Sequence, residues 1–157
     1  AAAVARLMKE KHGWEPLVLP CLEPGTRHGD LLSVDGAGRL AERVASLPSL
    51  GGLILVADGP PQALGDEVER ALLLLTGFFR CLKAFLATPD KAFVLTLRPS
   101  GGKGREATGW EGVQGMLLAA ALEYPDVLFR TVSLHEPAGL GDPFLIPAFA
   151  GVEDGHE

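Results

Sequence analysis

Three eight-residue runs, "GLILVADG" (52–59), "KAFVLTLR" (91–98) and "VLFRTVSL" (127–134), are apolar at odd and even positions alike. A strand with water on one face alternates. A run that does not alternate must be covered on both faces, which is the condition of a parallel sheet carrying helices. Helical segments separate the runs. "GDEVERALLLLTGFFRCLKAFLA" (65–87) is apolar over much of its surface, and residues 109–123 read as a helix ended by Tyr124-Pro125. Alternation of this kind predicts an α/β, doubly wound, Rossmann-like parallel sheet with helices on both faces.

Further elements extend the pattern upstream. Residues 1–12 have helical spacing and stop at Gly13, placed as a C′ glycine. "EPLVLPC" (15–21) reads as a short strand, "LLSV" (31–34) as a short edge strand and "RLAERVASL" (39–47) as an amphipathic helix. The tail from 135 is rich in Pro and Gly, with one short helix over 143–150. Residues 1–140 form the α/β unit and 141–157 a tail leading to a crossover or linker. A doubly wound sheet ordinarily opens on a strand and a Gly-rich turn, whereas this chain opens on the helix. The sheet is therefore expected to be truncated. The expectation is that an upstream segment or another chain supplies the first strand, or that residues 15–21 contact 52–57 in compensation.

The net charge of −6 and the lack of a Lys/Arg stripe argue against nucleic acid and anionic membranes as partners. No apolar run reaches the roughly 20 residues of a membrane span. The first residues carry their charges after the apolar part, the reverse of a secretory leader. His12, His28, His135 and His156 are scattered, and Cys21 and Cys81 have no metal-ligand spacing, so they read as buried free thiols.

"SGGKGREATGWEG" (100–112) contains Gly102-x-Gly104-x-x-Ala107, one spelling of a dinucleotide-binding turn, with Arg98, Lys103 and Arg105 nearby. Thr108 and Glu111 together spell a T-x-x-E capping box, whose side chains would occupy the amides a phosphate needs. Glu106 and Glu111 put negative charge where the phosphate would sit, and the fingerprint belongs to the first strand of a βαβ unit. The stretch reads as a capped surface loop. Asp58 before Gly-Pro-Pro reads as a turn cap, and Asp66, Glu67 and Glu69 as acids suited to a helix start. Trp14 and Trp110 read as packing residues. The stripe Leu72–Leu75, Phe78, Phe79 and Leu82 is core or interface.

Three stretches resemble the short-chain dehydrogenase/reductase family. "LILVADG" is similar to that family's "LVNNAG" strand end, "LLLLTGFF" to "VNLTGVF", and "GVQGMLLAAALEY" to "ALEGLTRALALEY". Together with "HGWEPLVLP", "AAALEYPDVLFRTVSL" and "DPFLIPAFAGVEDG", they resemble the structural, non-catalytic half of ketoreductase domains in modular polyketide and polyunsaturated fatty acid synthases. The resemblance implies a cytoplasmic multienzyme. In it a separate catalytic half uses NADPH to reduce a β-ketoacyl chain on acyl carrier protein. This chain would bind no cofactor and no metal, and its partners would be the catalytic half and neighbouring synthase domains. The family's Asn, Tyr and Lys positions fall on Leu74, Glu106 and Trp110, which implies no catalytic residue here, since the reduction needs a phenol proton donor beside an ammonium. Two other readings stand beside it: a divergent NADP-binding reductase with parts supplied upstream, and a stand-alone interaction domain.

Overall fold

A computed structural model describes residues 2–21, 27, 29–56, 67–99 and 106–134. It contains α1 (Ala2–His12), α2 (Val34–Ala45), β1 (Gly52–Val56), α3 (Glu67–Leu86), β2 (Phe93–Pro99), α4 (Glu106–Glu123) and β3 (Leu128–Leu134). The three strands are parallel in the order β1-β2-β3, with α3 and α4 as the crossovers. This is an α/β, Rossmann-like partial fold with an open sheet.

Register sorts the two faces. Leu53, Val94 and Phe129 form one row, and Leu55, Thr96 and Thr131 the next. Leu55 and Val94 belong to the main core with Leu74, Phe78, Phe85, Val113 and Leu117, so this face packs on α3 and α4. Thr96 is buried in the same face, and its hydroxyl donates to Thr131 Oγ1 at 2.9 Å, which offsets the cost of burying it. Phe93, Leu95 and Leu97 point the other way. Leu95 and Leu97 are buried too, and the Phe93 ring stacks on Trp14, centroids 5.2 Å apart, just past the end of α1. β2 is thus covered on both faces, as its unalternating sequence requires.

α1 ends as expected. Gly13 has φ +67, in the left-handed region, and its N–H donates to the Lys9 carbonyl at 3.0 Å. Residues 15–21 do not form the expected strand, and among the described residues β1 pairs with β2 alone. Pro16 and Pro20 bracket the segment and deny a ladder two N–H donors. Leu17 and Val18 are exposed, and the Cys21 carbonyl instead accepts from the Leu31 N–H at 2.7 Å. The segment is thereby tied to the turn before α2, and it forms no strand pair with β1, while Leu19 and Cys21 pack against the core cluster that contains Leu55.

"LLSV" is likewise not a strand. Asp30 is fully buried and draws the chain into a cap: the Leu32 N–H donates to its Oδ1 at 3.0 Å and the Ser33 hydroxyl to its Oδ2 at 3.1 Å. Ser33 Oγ then accepts from the Gly36 N–H at 3.0 Å as the N-cap of α2, which consequently starts at Val34, ahead of the expected 39. The Arg80 guanidinium of α3 donates to the Val34 carbonyl at 3.0 Å. The proposed tail helix over 143–150 lies outside the described residues.

Gly77 sets the spacing between α3 and this turn. A Cβ there would stand 2.6 Å from the Leu31 carbonyl oxygen and 3.0 Å from its Cα, both rigid backbone atoms. Gly115 of α4 has nothing within 4 Å of the same construction. Gly77→Val is expected to lose about 2–4 kcal/mol in urea denaturation through overpacking. Gly115→Ala is expected to gain roughly 0.5–1 kcal/mol from the lower entropy of the unfolded chain. Equal midpoints for Gly77→Val and wild type would contradict the close approach.

Candidate functional site

In an open α/β sheet, ligands bind beyond the carboxyl ends of the strands, where the following helices begin. Here that region comprises the ends of β1 and β2 and the first turns of α3 and α4. Leu74, in the third turn of α3, is buried in the main core. A Cβ on Gly109 would lie 3.5 Å from both Leu74 Cδ2 and the Ala71 side chain, so α3 and α4 meet here with ordinary contact distance to spare. Trp110, the next residue, is half-buried against the core. Glu106 is the first residue of α4.

The fold therefore brings position 74 against the start of α4. What it brings there is a hydrocarbon side chain, a glycine and an indole. Leu74 offers neither donor nor acceptor, and the Trp110 N–H can donate but cannot take up a proton or carry charge.

α4 begins earlier than the expected 109. Thr108 has helical backbone in its first turn, so it is not the N-cap, and the Thr108–Glu111 capping box does not form in the expected register. Helix propensity favours extension through Glu106 and Ala107. Gly102, Lys103, Gly104 and Arg105 lie outside the described residues, as do Asp58 and Asp66. Glu67 and Glu69 stand in the first turn of α3, as expected.

Asp30 and Ser33, not singled out from the sequence, make the most connected polar cluster of side chains described. The signal was the spacing Asp30-x-x-Ser33-x-x-Gly36, which suits successive side chain-to-backbone caps. Its role is to start α2. Among the described residues, no group of His, Cys, Asp or Glu is placed to hold a metal. A groove of about 210 Å³ lies between α4 and β3, lined by Leu117, Leu118 and Ala121 on one side and Phe129, Arg130 and Thr131 on the other. It is smaller than the roughly 300 Å³ at which small-molecule pockets begin. It also lies on the far side of α4 from Leu74.

Cys21 and Cys81 are free thiols. Burial pushes Cys21 up from 9.0 to about 11, with Asp30 adding to the rise and a hydrogen bond to its own backbone opposing it. Burial pushes Cys81 up to about 12, with Cys21 adding to it. Neither is a thiolate near neutral pH, so both are inert as nucleophiles there.

No protein-family model matches the chain, and comparisons with curated proteins and with solved structures give no match. No helix among the described residues is long and apolar enough to cross a membrane. What the fold and site define is a class: an α/β, Rossmann-like partial fold with an open three-stranded parallel sheet among the described residues, in which α3 and α4 meet at Leu74 and Gly109.

The thiols supply a pH test. In the unfolded chain both ionise near 9.0, while in the fold they hold their protons to about 11 and 12. Their contribution to stability is full below pH 9 and is lost as pH rises from 9 through 11 and 12. Cys81→Ala is expected to flatten the alkaline limb of the melting temperature against pH, at some cost in stability at neutral pH. An unchanged limb would show that Cys81 titrates normally.

Proposed function

We propose that this chain is a non-catalytic structural half of a ketoreductase domain in a polyketide or polyunsaturated fatty acid synthase. It would brace a separate catalytic half that reduces β-ketoacyl chains on acyl carrier protein with NADPH. The setting is a cytoplasmic multienzyme, and the neighbours are other synthase domains.

The observation that carries the reading is the junction of α3 and α4. Ketoreduction needs a phenol to protonate the carbonyl oxygen and an ammonium to lower its pKa. The matching positions carry Glu106 and Trp110, and Leu74, at the family's Asn, is packed into the core. Replacing three polar groups with a carboxylate and two apolar side chains removes both the proton donor and the relay. The half-sheet keeps its packing, which is what a scaffold requires.

Two measurements test this. NADPH titrated into the chain is expected to give no saturable heat, and micromolar binding would overturn the scaffold reading in favour of a divergent reductase. Sequencing the reading frame beyond Glu157 is expected to find a second α/β unit with a Gly-rich turn and a Ser, Tyr and Lys. A stop codon directly after Glu157 would overturn the subdomain assignment.

A further inference from the structure

The two cysteines of the chain are distant in sequence and close in the fold. Leu31 links them. Its N–H donates to the Cys21 carbonyl at 2.7 Å, and its own carbonyl oxygen stands 2.6 Å from where a Cβ on Gly77 of α3 would be. Cys81 follows Gly77 by four residues, so it lies on the same side of α3, one turn along. Cys81 is buried in the core cluster that holds Leu31, and Cys21, half-buried, packs against that cluster. The two thiols sense each other, since a charge on Cys21 pushes Cys81 higher.

We propose that Cys21 and Cys81 are a redox-dependent staple, closing into a disulfide that pins the irregular segment 15–21 to α3. Cys21 ends a segment that belongs to no strand ladder, so its backbone can adjust to the roughly 4.4–6.8 Å between Cα atoms that the bond demands. No third thiol in the chain competes. A reducing compartment keeps the pair as thiols, and a small disulfide such as oxidised glutathione closes it.

Half-buried Cys21 loses its proton and attacks one sulfur of the small disulfide, which releases one thiolate and leaves a mixed disulfide. Cys81 then loses its proton and attacks the Cys21 sulfur, expelling the second thiolate. The cysteines give up two electrons and two protons, and the small disulfide leaves as two thiols. Buried thiols attack slowly near neutral pH, and as poor leaving groups they also make the bond slow to break. The pair is thus a lasting staple and not a fast switch. This inference stands on the placement of the two cysteines and is independent of the ketoreductase reading.

The full chain incubated with oxidised glutathione between pH 7 and 9 tests it, with circular dichroism confirming the fold throughout. Mass spectrometry is expected to find monomers that have lost two hydrogens, and peptide mapping without reductant to find Cys21 joined to Cys81. The rate is expected to rise about tenfold per pH unit, as the thiolate fraction does. The stapled chain is expected to melt roughly 10 °C above the reduced one, because the bond closes a long loop in the unfolded state. Cys21→Ala is expected to abolish both the bond and the rise. Glutathione retained on either cysteine as the final product, disulfides only between two molecules, or thiols still free at pH 9 when the urea-unfolded chain has oxidised would overturn the proposal. A bond that leaves the melting temperature unchanged would overturn the pinning of 15–21 to α3.

Discussion

β2 is the strand on which the described fold depends. It alone pairs on both sides among the described residues, and Val94, Leu95, Thr96 and Leu97 are buried in succession. Four consecutive buried residues on a strand mean two covered faces. The parallel ladder on either side then obliges the chain to cross over twice, through α3 and α4. Phe78 and Phe85, both almost wholly buried, stand seven residues apart on α3 and so share the side that packs into the core beside Val94. Burying two phenylalanines contributes several kcal/mol at roughly 1.5–3 kcal/mol each, more than any single polar contact described.

The main α/β pattern was legible because it rests on burial, and burial is written in unalternating apolar runs. Residues 52–56 and 128–134 fall inside the expected strands, β2 runs one residue past its expected end at 98, and α3 lies within one residue or two of its expected bounds. Segments decided by competition for backbone hydrogen bonds were less legible. "EPLVLPC" is apolar enough for a strand, but its prolines and the lack of a partner beside β1 leave it irregular. "LLSV" has strand composition, but Asp30 and Ser33 capture backbone amides that a ladder would have used. No apolar pattern distinguishes these outcomes, because the deciding atoms are two side-chain oxygens.

At the junction of α3 and α4, sequence and structure speak to different things. The alignment of positions 74, 106 and 110 with a reductase's polar residues came from resemblance. The structure adds that Leu74 lies against Gly109 inside the core. A polar residue at 74 would have to be hydrogen-bonded there or cost about 1–3 kcal/mol. Leucine relieves that demand and lets α3 and α4 close on each other.

The outward surface of the same two helices poses the opposite problem. α3 shields its core side well, yet leaves Leu72 and Phe79 more than half exposed, and α4 adds Leu118 and Leu122. Core packing cannot explain these residues, because their side chains face away from it. Helix propensity explains leucine but not Phe79, an indifferent helix former. α3 thus buries Phe78 and Phe85 on one side and leaves Leu72 and Phe79 open on the other, so its two sides answer to different constraints.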